Sequence, residues 1–299
     1  MISLLVILLV RSVMSFPPME NPNLFEGDMI LSPEQMRRIQ DASSGNSFAG
    51  VISNRWPSTT IAWSASKEII QSSKAMKAIN AAIVEYHAKT CLKFVRRTNE
   101  KAYFYFYEGS GCHSRVGYFG TVNKISLASE CQHAPTAMHE MFHSLGFHHE
   151  QSRADRDKYV KIIWDNIPNA ARKNFKKYPH SQLDFRGEAY DYLSISHYRK
   201  DTFGGGRMTI KTLQKKYEDL IGTSTHLSAS DVRQLNAMYR CNGKGTLPPT
   251  LTPPPSRAPV CEDENGLDYC TPLLRYCHSG STSLQKVLKK QCYKSCQYC

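Results

Sequence analysis

Residues 139–157 read His-Glu-Met-Phe-His-Ser-Leu-Gly-Phe-His-His-Glu-Gln-Ser-Arg-Ala-Asp-Arg-Asp. His139 and His143 stand at i and i+4, so on a helix both imidazoles share one face and reach a common ion. Glu140 sits one position on, beside that ion rather than on it, where a general base is needed. Gly146 can take a positive φ and end the helix. The chain then turns back, and His149 brings a third imidazole to the same point. Three protein ligands with one open position is the pattern of a catalytic zinc; a structural site closes the fourth position with a side chain.

The rest of the chain sets the context. Its 299 residues leave room for two domains, and a hydrophobic content of 41% is ordinary for a chain that buries a core. A net charge of +12 points to acidic surfaces or acidic substrates as partners. No nucleic-acid-binding motif is present and the 16 tyrosines form no base-stacking pattern in the sequence, so nucleic acid is not an expected partner. Ten cysteines, an even number, fit an oxidising compartment. Residues 1–15 read as a secretory signal: residues 2–10 are apolar but too short to span a bilayer, and Val13 and Ser15 fit small-residue cleavage. No later stretch reads as a transmembrane segment, and no Asn-x-Ser/Thr acceptor occurs. A soluble, secreted, extracellular product is expected.

Residues 16–46 are polar and short of core residues, so they are not expected to fold alone. Residues 73–89 carry Met76, Ile79, Ile83 and Tyr86 at helical spacing, the stripe of a long packed helix. Strands are expected near residues 61–64, 92–95, 102–107, 125–128 and 160–164. A helix is expected from 166 to about 178, and Ser228-x-x-Asp231 starts a last helix ending near Tyr239. Pro-rich residues 242–260 read as a stiff linker to six cysteines in the last 39 residues, a disulfide-stapled module.

The extended stretch, with Gly146-Phe147-His148-His149-Glu150 and Arg153-Ala154-Asp155-Arg156-Asp157, resembles the zinc signature of the astacin family of metzincins. The resemblance implies an α+β fold, a two-lobed protease domain with a mixed sheet and long helices. It implies a zinc-dependent endopeptidase acting on proteins or peptides, with one Zn2+ on His139, His143 and His149 and Glu140 as base. Phe25-Glu26-Gly27-Asp28 is similar to the family's propeptide motif, in which Asp28 would ligate the metal as a zymogen switch and Gly27 would allow close approach. The resemblance further implies that a processed amino terminus docks on Glu150. Arg37-Arg38 is a dibasic site, and cleavage there with trimming or at a non-basic bond both remain open.

Ser194-Ile195-Ser196-His197-Tyr198 resembles the family's Met-turn, Ser-x-Met-His-Tyr, with Tyr198 matching the tyrosine that ligates zinc at rest and then assists the transition state. Ser196 replaces the methionine, which implies a smaller, more polar floor and looser zinc binding. That departure favours an alternative, a catalytically weak protease fold serving as a binding or matrix protein. Among Cys91, Cys112, Cys131 and Cys241, spacing leaves three pairings; the family implies Cys91–Cys241 and Cys112–Cys131. The tail resembles a ShK toxin-type (ShKT) domain, implying Cys261–Cys299, Cys270–Cys292 and Cys277–Cys296 and a tethering role on extracellular matrix or acidic surfaces. The expected organisation is signal 1–15, propeptide 16–46, catalytic domain 47–241, linker 242–260 and ShKT domain 261–299. His87, His113, His133, His148, His197 and His226 are expected at the surface or behind the ligands.

Overall fold

The computed structural model describes residues 19–43, 55–178 and 185–241. The expected signal, linker and ShKT module lie outside the described residues. Among the described residues eight strands form: β1 (Met29–Ile30), β2 (Thr60–Ala65), β3 (Lys93–Arg96), β4 (Tyr103–Tyr107), β5 (Cys112–Arg115), β6 (Val122–Leu127), β7 (Val160–Ile162) and β8 (Ile210–Thr212). Five α-helices accompany them: α1 (Pro33–Ser43), α2 (Lys67–Gln71), α3 (Ser73–Lys89), α4 (Ala134–Ser144) and α5 (Ala229–Met238).

β4 shows why the main sheet forms. It reads Tyr-Phe-Tyr-Phe-Tyr, and Phe104 and Phe106 are fully buried while the tyrosines lie on the other face. The sheet order is β1-β5-β6-β4-β2-β3. β2, β3, β4 and β6 are parallel, β5 is antiparallel to β6, and β1 is parallel to β5. The inner face packs on α3 and α4. On α3, Ala75, Ala78, Ile79, Ala82, Ile83 and Tyr86 are buried, a helical stripe. The Tyr86 hydroxyl donates to the Met138 carbonyl (2.9 Å), which fixes α3 against the histidine helix. A second apolar cluster gathers around the β7–β8 pair, with Val160, Ile162, Phe175, Phe203 and Ile210. The mixed sheet and the helices packed on it make an α+β fold.

Two disulfides brace the described residues, Cys91–Cys241 and Cys112–Cys131. The first spans 150 residues and joins the end of α3 to the end of the domain. Closing so long a loop stabilises by about 4–5 kcal/mol in the chain-entropy account.

Several elements differ from the sequence expectation. Asn169–Phe175 winds as a 3-10 helix, not an α-helix through residue 178. No side chain caps its start, and the Ala171 amide bonds back to the Pro168 carbonyl (2.8 Å), closing i→i+3 turns. The polar segment before residue 46 carries β1 and α1, both formed against the domain. α1 starts with a Ser-x-x-Gln box: Gln35 N donates to Ser32 Oγ (3.0 Å), and Ser32 N to Gln35 Oε1 (2.7 Å). Pro33 opens the helix, exposed at its first position, and Gln35 and Ile39 face inward. β5 and β8 were not expected either. Cys-His-Ser-Arg shows no alternation of apolar residues, and β8 is three residues long.

Candidate active site

The histidine helix α4 lies wholly inside the protein from Ala137 onward. It ends on Gly146, whose φ is +111°. Phe147 N reaches the Phe142 carbonyl (3.3 Å) and Gly146 N the His143 carbonyl (2.8 Å), a Schellman closure that turns the chain back. His149 thereby comes beside the pair on the helix. Its ring centroid stands 5.3 Å from that of His139 and 4.6 Å from that of His143.

Each ring is oriented from behind. His139 Nδ1 donates to the Ile195 carbonyl (2.8 Å), and His143 Nδ1 to the Phe147 carbonyl (2.8 Å). His149 Nδ1 meets Glu26 Oε2 at 2.8 Å. Protons held at Nδ1 leave the Nε2 lone pairs free. Those of His139 and His143 converge to 2.9 Å, and a direct bond between them would turn a lone pair on one Nδ1 toward a carbonyl. Asp28 completes the group: its Oδ2 is 3.2 Å from both His139 Nε2 and His149 Nε2. One ligand atom from each of the four residues lies within 4.8 Å of the others, all buried. Three imidazoles and a carboxylate fit Zn2+.

The local charge agrees. Burial would raise the Asp28 carboxyl, but the His149 charge and bonds from His139 and His149 hold it below its usual range. Burial would lower His149, yet Asp28 and Glu26 push it up to about 10. The two carboxylates thus draw positive charge to the centre, which a bound cation supplies in place of a proton. Glu140 is fully buried, and neither carboxylate oxygen has a hydrogen-bond partner among the described residues. Burial lifts its carboxyl well above the usual range, and the Asp28 charge lifts it further.

Asp28 is carried in by Phe25–Met29. Gly27 has φ +87°, and a Cβ there would sit 2.7 Å from the Met19 carbonyl oxygen and 2.9 Å from Phe203 Cζ, so glycine is required. β1 runs along the edge of β5, pairing Met29 with Ser114. Tyr198 is buried against His149, and its hydroxyl donates to the Glu26 carbonyl (2.5 Å). Glu26 was passed over in the sequence. It bonds His149 and also accepts from Ser152 Oγ (2.6 Å), partners 123 and 126 residues away that no local pattern links to it. Glu150 is buried and receives Arg153 Nη1 (3.2 Å) and Asp191 N (2.7 Å); burial pushes its carboxyl up to about 8. Arg153 also binds Asp155, and Arg156 binds Asp157, an ion-pair cluster beside the site.

His148 and His197 are buried rather than at the surface. His197 binds the Tyr190 hydroxyl (2.7 Å) and the Tyr198 carbonyl (2.7 Å), filling the turn below the site. Phe25 meets the His148 ring edge-on.

Ser196 is buried but not bare. Ser194 Oγ accepts from Ser196 N (3.1 Å) and donates to Asp231 Oδ1 (2.7 Å), so the Ser196 hydroxyl donates to Ser194 Oγ (2.9 Å). Asp231 Oδ2 accepts from Ile195 N (2.8 Å) and from Ser228 N, where it closes the α5 capping box. Ile195 is the residue whose carbonyl holds His139. A hydrogen-bonded chain, in place of a loose polar floor, therefore fixes that carbonyl. Ser194→Ala and Asp231→Asn should each weaken zinc by about 10–100-fold, the usual cost of losing a group behind a metal ligand. Chelator competition measures this; Ser194→Thr, which keeps the hydroxyl, should restore affinity, and unchanged affinity in Asp231→Asn would remove the role.

Glu20 adds a pH-dependent contact. Its buried carboxylate accepts from Phe203 N (2.8 Å), and burial raises it from an ordinary 4.5 to about 7. The docked segment thus holds the proton more tightly than the released one. Glu20 supports docking fully below pH 4.5, and that support is lost as pH rises through about 7. After a cut past residue 43, the released segment should leave faster at pH 8 than at pH 6. Glu20→Gln should flatten the difference, as read by its dissociation rate across that range.

A buried three-histidine centre beside a carboxylate that has no hydrogen-bond partner among the described residues defines a metal-dependent hydrolase. The family model described as Astacin, a peptidase family, matches residues 49–240. The chain is 36% identical over 223 residues to zinc metalloproteinase nas-4 of Caenorhabditis elegans, covering 74% of this chain and 70% of that one. It is 37% identical to the human meprin A subunit beta over 225 residues, 74% of this chain and 30% of meprin. High choriolytic enzyme 1, a hatching enzyme zinc-protease from medaka (Oryzias latipes), superposes with TM-score 0.57 at 33% identity, covering 64% of this chain and 94% of that one. The chain belongs to the astacin family of zinc metalloproteases and is a hydrolase of peptide bonds in protein or peptide substrates.

Proposed function

We propose that the chain is a secreted zinc endopeptidase made as a zymogen, with residues 1–15 as signal, 16–46 as propeptide and 47–241 as catalytic domain. The observation that carries the catalytic reading is Glu140: a buried carboxylate with no hydrogen-bond partner among the described residues, one residue from His139 and within reach of the Asp28 and His149 charges. When bound, the zinc supplies Lewis acidity and acidifies water in the cleft. Glu140 takes a proton from the attacking water and later delivers it to the leaving amine nitrogen. The Tyr198 hydroxyl, once free of the Glu26 carbonyl, donates to the substrate oxygen as charge develops there. His139, His143 and His149 hold the metal through Nε2 with their Nδ1 atoms tethered.

Latency rests on Asp28 at the fourth position, on Glu26 behind His149 and on β1 along the β5 edge. Arg37, exposed, and Arg38, half-buried, lie on α1, so a cut there requires that helix to unwind. Secretion is supported by the two disulfides and by the even cysteine count. The ShKT-like tail, residues 261–299, is a tether. Against the alternative, a catalytically weak binding protein suggested by Ser196, the reading is supported by the bonded Ser196 hydroxyl and by the carbonyl partner that His139 keeps.

The test is digestion of casein by the processed chain, with zinc content measured alongside. One zinc per chain and chelator-sensitive cleavage are expected. Stoichiometric zinc without cleavage would select the binding protein instead.

A further inference from the structure

The outer face of the main sheet, opposite α3 and α4, carries three aromatic rings in a row. Tyr103, Tyr105 and Tyr107 alternate with the buried phenylalanines of β4. The 16 tyrosines show no stacking pattern in the sequence, yet this strand aligns three of them. The Tyr105 and Tyr107 rings are stacked, with centroids 6.4 Å apart and planes 9° from parallel. Tyr103 meets Tyr105 edge-on, also at 6.4 Å. Small residues flank the rings: register sets Ser64 of β2 beside Tyr105 and Ser126 of β6 beside Tyr107.

Two cations lie on the rings. The Arg97 guanidinium lies 4.2 Å from the Tyr103 centroid, and Lys124, opposite Tyr105 in register, places Nζ 5.9 Å from the Tyr107 centroid. Strands β2 to β6 hold no aspartate or glutamate. The nearest acid at the β3–β4 turn, Glu100, is folded onto its own turn, accepting from Thr98 N (2.8 Å) and Asn99 N (3.1 Å). A sheet face that only had to meet water would be served by serine, threonine and lysine. Three half-buried rings edged by cations form a surface with flat apolar patches and fixed positive charge.

We propose that this face binds an anionic polysaccharide, a sulfated or uronic-acid chain. Its sugar rings lie on the tyrosines, and its anionic groups meet Arg97 and Lys124. The chain's +12 charge draws such a polyanion, and a disulfide-containing protein meets polysaccharides rather than nucleic acids. The rings point away from the inner face that carries the histidine helix. The proposal does not depend on the catalytic reading.

Full-length chain is titrated with heparin as the sulfated probe, across a series of salt concentrations. Tyr105→Ser should weaken binding by about 10-fold, the range for loss of one stacking platform or cation–π site. Lys124→Ser should weaken it and also flatten its salt dependence by about one released counterion. Lys211→Ser, an exposed cation on β8, should change neither, and cleavage of a short peptide by each processed variant serves as the control for folding. Tyr103→Ser gives a second reading of the ring row should Tyr105→Ser fold poorly. The lysine-bearing tail is present throughout, so any contribution from it is common to all variants. Binding unaffected by the tyrosine substitutions, or weakened equally by Lys211→Ser and Lys124→Ser, would overturn the proposal as diffuse charge. Polyglutamate or single-stranded DNA binding as tightly with the same tyrosine dependence would overturn the choice of ligand.

Discussion

Glu140→Gln in the processed chain should keep its zinc and lose about 10²–10⁴-fold in kcat/KM, the range for removing one general base. Glutamine matches glutamate in shape, so the packing of a fully buried side chain on α4 is preserved. No ligand atom is touched, because the convergent group is Asp28, His139, His143 and His149. What is lost is the ability to take a proton. Burial and the Asp28 charge lift this carboxyl well above its usual range, so it holds a proton more tightly than a solvated carboxylate does. When the propeptide leaves, the Asp28 contribution goes and burial remains. The loss should appear in kcat with KM little changed, since Glu140 acts on the water and not on substrate binding. Metal analysis and steady-state kinetics on the same preparation settle it. Wild-type turnover by a zinc-loaded Glu140→Gln chain would end the base assignment.

The centre was legible wherever its logic was local. His139 and His143 share a helical face through the i,i+4 spacing, and Gly146 marks the turn that returns His149. The Ser228 capping box was readable for the same reason: both of its bonds run between residues three apart. The Ser32–Gln35 box has the same form and was missed because the segment around it reads as polar and coreless. Its helix depends on a surface that the segment does not contain; Gln35 Nε2, for example, reaches the Val116 carbonyl 81 residues away. The supports behind the histidines were illegible in principle. Asp231 meets Ile195 across 36 residues, and Glu26 meets His149 across 123. Ser196 is legible only as a residue type; that Ser194, two residues away, bonds its hydroxyl is a contact that the type alone does not announce.

Asp28→Ala in the intact, uncut chain should unmask peptide cleavage. Asp28 Oδ2 lies 3.2 Å from the Nε2 atoms of both His139 and His149, where it would take the fourth position on the metal. Removing one partner of a buried charge pair costs about 3–5 kcal/mol, so its loss moves the ratio of closed to open cleft by on the order of 10²-fold or more, at about 1.4 kcal/mol per tenfold. Opening should not be complete. Glu26 still holds His149 and Ser152, its carbonyl still holds Tyr198, and Met29 and Ile30 still pair with β5. Asp28→Ala with Glu26→Ala should therefore release more activity than Asp28→Ala alone, and Glu26→Ala alone should release little, because Asp28 still blocks the metal. Asp28→Asn separates charge from shape: it fills the same space with a weak neutral ligand and should fall between wild type and Asp28→Ala. Gly27→Ala offers a route that leaves both acids in place, since its Cβ would strike the Met19 carbonyl and lift the loop from the cleft. A fluorogenic peptide reports activity, and mass spectrometry confirms that the chain is uncut. An intact Asp28→Ala chain as inert as wild type, with zinc bound, would mean that the segment blocks the cleft by bulk alone and that the aspartate is no switch.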